Sequence, residues 1–213
     1  MRLERGPKGV YAFSMRKPAD MHQHLRQGPM LALVAPMVAE RFAMAIVMPN
    51  TTPPITTPAE LRTYREKILM TVPKFMPLMT FYLTDYLKPD DVVRATESGD
   101  LVGIKYYPRG LTTNSDSGVK DPASIWTRGT NPYNALRALA DGGRVLLLLA
   151  ADGFDKNGNE LDPYDQERHF IQETLPHIID AHPELKISVE HLSTKWGAAF
   201  LKRNGGEKLG CSL

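Results

Sequence analysis

Cysteine is almost absent from this chain, with one residue, Cys211, in 213. A single thiol excludes an internal disulfide and fits a reducing compartment, so the sequence reads as cytoplasmic. Long apolar runs are missing too. The longest, residues 145–151, falls far short of the roughly 20 residues that cross a bilayer, and no membrane partner is expected. Neither sign of charge dominates. With 26 Lys and Arg against 24 Asp and Glu the formal charge is +2 and no basic block stands out, which argues against nucleic acid. Neither G-x-G-x-x-G nor G-x-x-x-x-G-K-[ST] occurs, so no phosphate-cradling loop points to a nucleotide.

What is present is an ordinary globular composition, 42% hydrophobic and 23% charged, enough for one sizeable core. Residues 1–17 carry Arg2, Arg5, Lys8, Arg16 and Lys17 against Glu4 but lack the apolar run of a signal peptide. Residues 1–19 therefore read as a loose N-terminal extension, with a transit peptide as the alternative. Residues 20–204 read as the folded unit and 205–213 as an irregular tail.

Inside that unit, short apolar segments alternate with helical ones. Strands are expected over residues 20–25, 43–48, 77–83, 101–107, 145–150 and 187–191. Helices are expected over 29–40, 58–70, 89–99, 131–142, 163–181 and 194–202. Thr57-Pro58-Ala59-Glu60 has the form of a capping box. Asn131 and Asp162, each followed by proline, read as further caps. Such alternation predicts a parallel sheet covered by helices. His22, His24, Asn50, Lys105 and His191 all fall at or just past the C-terminal end of an expected strand. A (β/α)8 barrel gathers its active site there, which favours a barrel over a doubly wound sheet.

The segment from Asp20 to Arg26 is the chemical centre of the pattern. In an extended strand His22 and His24 project from one face and suit a borderline metal such as zinc. The alternative is a polar strand end with two solvated histidines. Arg26 follows on the same face, with a donor fork that fits a carboxylate. Lys105 ends the apolar stretch from Leu101, where burial would lower its pKa; otherwise it snorkels to solvent. His191 closes the last expected strand, either as a metal ligand or as a hydrogen-bonded core histidine. His169, His177 and His182 lie on or after a helix and read as structural or solvated.

These motifs together resemble the dihydroorotases of the amidohydrolase superfamily, over about residues 20–201. The likeness is carried by His22-Gln23-His24-Leu25-Arg26, by Met48-Pro49-Asn50 with Pro53-Pro54 and Thr56-Thr57, and by Pro77 to Leu83. Lys105-Tyr106-Tyr107-Pro108 with Thr112-Thr113-Asn114-Ser115, and Glu190-His191-Leu192-Ser193-Thr194, complete it. The resemblance implies a TIM-like barrel of the metal-dependent hydrolase type, here incomplete, with about six β/α units. It implies reversible cyclisation of N-carbamoyl-L-aspartate to L-dihydroorotate, a step in pyrimidine synthesis, on two zinc ions bridged by a carboxylated lysine and a hydroxide. Carried over residue by residue, His22, His24, Lys105 and His191 would bind metal. Arg26 and Asn50 would bind the substrate carboxylate. Thr112 and Thr113 would lie on a loop that closes over it. The resemblance also allows a homodimer.

Two departures stand against the match. The family has a histidine at the end of the fifth strand, where this chain has Leu149 in Val145-Leu146-Leu147-Leu148-Leu149-Ala150-Ala151-Asp152. Asp152 is the nearest stand-in, a carboxylate being an acceptable zinc ligand. The family's last two strands, with the aspartate that ligates metal and shuttles the proton, lie beyond the sequence given. The expectation is a truncated chain of impaired activity. The competing readings are an inactive remnant that binds a partner and another cyclic-amide hydrolase of the dihydropyrimidinase or allantoinase kind.

Overall fold

The computed structural model of the chain describes residues 2–5 and 11–212. The N-terminal extension expected over 1–19 is described only in part, since residues 1 and 6–10 lie outside. Where described, its backbone forms a two-stranded antiparallel ribbon, β1 (Arg2–Arg5) with β2 (Tyr11–Ser14), rather than a loose segment.

The rest is one parallel sheet with helices on its outer side. Its strands run in chain order: β3 (Ala19–Gln23), β4 (Met44–Val47), β5 (Met76–Tyr82), β6 (Leu101–Tyr106), β7 (Val145–Leu149), β8 (Lys186–Glu190) and β9 (Leu209–Cys211). Between them lie α1 (Pro29–Arg41), α2 (Pro58–Thr71), α3 (Pro89–Glu97), α4 (Asn131–Asp141), α5 (Gln166–His169), α6 (Leu175–Ala181) and α7 (Lys195–Asn204). Sequential parallel strands joined by helical crossovers curl the sheet into part of a (β/α) barrel. Among the described residues β3 and β9 are its edges.

Three local expectations need correction. The tail is not irregular throughout, because β9 pairs in parallel with β8, Ile187 opposite Leu209 and Val189 opposite Cys211. A sheet edge satisfies its N–H and C=O groups with any extended segment that reaches it, and Leu209-Gly210-Cys211 has no apolar alternation to betray this. The cap of α4 is Thr130, whose hydroxyl accepts from the Tyr133 N–H at 3.2 Å, not Asn131. The helix expected from residue 163 begins only at Gln166, since Asp162 accepts the Tyr164 N–H in a turn, and a π segment, Phe170–Thr174, separates α5 from α6. The Thr57–Glu60 box is present as expected, both of its reciprocal bonds formed.

Strand alternation sorts the core. Outward residues such as Val47, Phe81, Ile104, Leu146 and Val189 are buried against Leu61, Ile68, Leu136, Phe170 and other helix residues in one continuous cluster. Each such side chain fully buried contributes about 1.5–3 kcal/mol. The inner face carries a smaller cluster, Ile46, Met48 and Leu147 with Leu78 and Val145 beside it. Leu147 is paired with Lys105, and Tyr82 with Lys105, so all three share that face. The inner face therefore has an apolar floor and, toward the strand ends, a polar mouth.

Candidate metal centre

His22 near the end of β3 and His24 just past it converge, with Nε2 atoms 3.3 Å apart. Two nitrogens bound to one tetrahedral zinc at about 2.0–2.1 Å stand about 3.3–3.4 Å apart, so the pair already has the separation a single ion requires. The far nitrogen of His22, Nδ1, lies 2.6 Å from Glu190 Oε2. His24 Nδ1 is buried without a hydrogen bond. Burial, followed by the neighbouring His22 and Arg26, lowers the His24 pKa to about 4 against a partial offset from the Asn50 side chain. At neutral pH His24 is thus the neutral imidazole that metal ligation needs.

Lys105 is fully buried, and its Nζ has no hydrogen-bond partner. Burial brings its pKa down to about 7, with Glu190 pulling the other way. The Tyr107 ring lies 5.3 Å from Nζ. An unpartnered ammonium here is costly, and the amine is neutral for a large part of the time near pH 7. His191 follows β8, its ring 5.2 Å from that of His22. Burial, Lys105 and His22 together hold its pKa down. Burial pushes the Glu190 carboxyl up, but bonds from His22 and Ser188 and the charge of Lys105 outweigh this and keep it below the usual range.

Among the described residues no three His, Cys, Asp or Glu side chains converge as a ready cation site. The His22–His24 pair needs one more donor to make such a site, and the side chain close by is Lys105, whose charge contributes to lowering the His24 pKa. A second ion is less well provided for. Leu149 shares Lys105's face through Leu147 and pairs with Glu190 beside His191, and it offers only carbon.

Asp152 does not fill that gap. Its Oδ2 accepts from His169 Nδ1 and from the Thr174 hydroxyl, each at 2.8 Å, so the carboxylate pins the residues after β7 to the π segment. Asp152→Ala is expected to cost about 1–3 kcal/mol by orphaning those donors while leaving zinc retention unchanged, as urea melts and metal analysis of one sample would show. His182 donates to the Ile125 carbonyl at 2.8 Å and His177 stacks on Trp126, which is structural use for both.

The carboxylate-binding candidates lie at the same mouth. Arg26 Nη1 is buried and unpartnered, and the Arg26 backbone is held at φ 60° with its carbonyl accepting from Tyr64 at 2.8 Å. Asn114 at φ 55° and His191 at φ 41° complete the left-handed non-glycine residues among the described ones. All three belong to the mouth, and strain gathered in this way marks functional sites. Asn50 Nδ2 donates to the Thr113 carbonyl at 3.0 Å, and Asn114 Nδ2 donates to the Asn50 carbonyl at 3.2 Å. The loop bearing Thr112 and Thr113 is thus docked on Asn50, with both threonines exposed. Asn50 uses one of the two Nδ2 hydrogens on Thr113, and its Oδ1 is unpaired.

The sequence assigns no role at the site to Glu190, Ser188 or Tyr107. A signal existed for the first two, polar residues at alternate positions of an otherwise apolar strand. Tyr107, buried with an unpartnered hydroxyl, had none.

A parallel β/α sheet with imidazoles and a buried lysine at its C-terminal mouth is the architecture of an amidohydrolase barrel. The L-hydantoinase (dihydropyrimidinase) from Arthrobacter aurescens shares the fold at TM-score 0.69 and 16% identity, over 92% of this chain and 46% of its own. The dihydroorotase from Saccharomyces cerevisiae, solved in complex with 5-fluoroorotic acid, superposes at TM-score 0.83 with 30% identity over 92% of this chain and 55% of its own. A dihydroorotase from Halorhodospira halophila is 41% identical over 191 residues, 88% of this chain and 52% of the relative. The chain belongs to the dihydroorotase family. It spans about half the length of the curated relatives it matches. No family model matches it. Among the described residues no helix is long and apolar enough to cross a membrane.

Proposed function

We propose that this chain carries the zinc-binding and carboxylate-binding part of a dihydroorotase site, for the reversible cyclisation of N-carbamoyl-L-aspartate to L-dihydroorotate. The observation that carries the reading is the meeting at one mouth of the His22–His24 pair, spaced for one zinc, and two unpartnered buried cationic groups, Lys105 Nζ and Arg26 Nη1. Lys105 in its neutral form attacks CO2 through its Nζ lone pair. A C–N bond forms, a proton leaves to water, and the product carbamate is the anionic donor the two histidines lack. Zinc, when bound, lowers the pKa of water and polarises an amide carbonyl.

The chain's own residues then bind and orient. Arg26 offers its free guanidinium edge to the substrate carboxylate. Asn50, with the second N–H of its amide, is the further donor to that carboxylate while the first holds the loop at Thr113. The loop of Thr112 and Thr113, when docked, excludes water and strengthens the electrostatics beneath it. Both oxygens of Glu190 are engaged by His22 and Ser188, which leaves Glu190 unavailable as a general base. A homodimer and a cytoplasmic setting complete the proposal, the latter fitting the free, exposed Cys211.

Binding tests the reading more cleanly than turnover. L-Dihydroorotate is expected to bind the zinc-loaded protein saturably in calorimetry, and hydantoin, which lacks the carboxylate, is not. Arg26→Ala should weaken that binding by about 1.5–3 kcal/mol, the worth of a charge-assisted contact, or about 10–100-fold in Kd. Equal binding of the two ligands would favour the hydantoinase-type alternative. No binding of either, by a folded protein without zinc, would favour a partner-binding remnant.

A further inference from the structure

The carboxylate nearest the histidine pair is not placed as a metal ligand. Glu190 is buried at the end of β8. Its Oε2 accepts from His22 Nδ1 at 2.6 Å, and its Oε1 accepts from the Ser188 hydroxyl at 2.5 Å. Ser188 and Glu190 are two residues apart on one strand and therefore share a face, so the serine braces the carboxylate from the same backbone that carries it. One oxygen is consumed by each partner. The plane of the carboxylate is fixed on both sides, and the ring of His22 is fixed in turn.

A neutral imidazole holds one N–H and one lone pair. A carboxylate at Nδ1 places the N–H there and leaves the lone pair on Nε2, the atom 3.3 Å from its counterpart on His24. Without the carboxylate, Nε2–H would compete and point a hydrogen at the position a cation must occupy. We infer that Glu190, braced by Ser188, is the positioning residue that sets both the tautomer and the orientation of His22 for metal capture. A carboxylate behind a ligating imidazole also raises its basicity, and loss of such a partner costs about 10–100-fold in metal affinity. The inference rests on the zinc-site reading for its purpose, but the tautomer it assigns exists in the metal-free protein.

The decisive measurement is long-range ¹⁵N–¹H correlation on histidine-labelled, metal-free protein. His22 is expected as the Nδ1–H tautomer, and in Glu190→Leu the Nε2–H form should gain population. In parallel, competition titration with a chromophoric chelator should show Glu190→Gln binding zinc about 10–100-fold more weakly, with far-ultraviolet dichroism unchanged. Ser188→Ala, which keeps the carboxylate and releases only its brace, should move affinity in the same direction by less, and it supplies the test should the Glu190 variants fold poorly. An Nε2–H tautomer in the wild type would overturn the inference, as would wild-type zinc affinity in Glu190→Gln or, if that variant does not fold, in Ser188→Ala. Should the wild type hold no zinc at all, the metal reading fails by itself and the tautomer still decides the role of Glu190.

Discussion

Methionine in place of Lys105 is expected to strip the protein of zinc and, in the same variant, to stabilise its metal-free form. Both effects follow from one observation, an amine with no exposure and no hydrogen-bond partner. In the proposed reading Lys105 supplies the third donor beside His22 and His24, and methionine cannot form a carbamate. As a buried cation it is a liability, and replacing a buried ionic group by an apolar one of similar volume is commonly stabilising by about 1–4 kcal/mol. At about 2–4 °C per kcal/mol for a chain of this size, the difference is readable in a thermal melt.

The same substitution makes a signed statement about pH. The folded-state pKa of Lys105, about 7, lies below the ordinary 10.5, so between those values the unfolded chain binds the proton more tightly. Stability of the metal-free wild type therefore rises with pH across that window, with the penalty fully present below about 7 and gone above about 10.5. Lys105→Met lacks this contribution. Its advantage over the wild type should shrink steadily from the lower end of the window to the upper, measured by urea denaturation at both ends. A variant that keeps its zinc would show that Lys105 is not the shared donor, and one whose advantage does not vary with pH would show that it is not a desolvated amine.

Histidine at position 149 is expected to give the mouth a second zinc equivalent. Leu149 is paired with Glu190, stands next to His191, and shares a face with Lys105. An imidazole there would join His191 and the Lys105 carbamate around a second ion, in the three-ligand arrangement that zinc accepts with an open fourth position. Burial and the neighbouring Lys105 and His22 already hold the His191 pKa down. Leu149 is only half-buried, so the substitution should cost no more than the usual 0.5–3 kcal/mol, roughly, of a point change. Equilibrium dialysis counts the metal. An unchanged zinc count in Leu149→His would mean that this end of β7 does not face the site. Loss of the gain on adding Lys105→Met would confirm the shared bridge.

Much of this could be read along the chain. Helix starts with proline at the first position, the Thr57–Glu60 capping box and the apolar strands are local matters of dihedral preference and hydrogen bonding within a few residues. His22 and His24, two apart, are held near one another by the chain itself, and Lys105 announces its burial by the apolar residues before it. The resemblance to dihydroorotases, built from five short segments in order, rested on the same local information.

Local sequence was silent wherever a partner came from far away. Glu190 meets His22 across 168 positions, Asn50 meets Thr113 across 63, and Ser193 and Thr194 hold Glu167 across 26 and 27. The short β9 exists because β8 had an edge to satisfy, and Asp152 faces Thr174 because a π segment brings that hydroxyl round. The sequence by itself determined which elements form and which residue types stand at the strand ends, because propensity, periodicity and caps act over one or two turns of chain. Only the tertiary structure decided which of those residues share a face, which polar atoms are left without partners, and that the carboxylate beside the histidines serves an imidazole, because burial and long-range hydrogen bonds exist only once the sheet has curled.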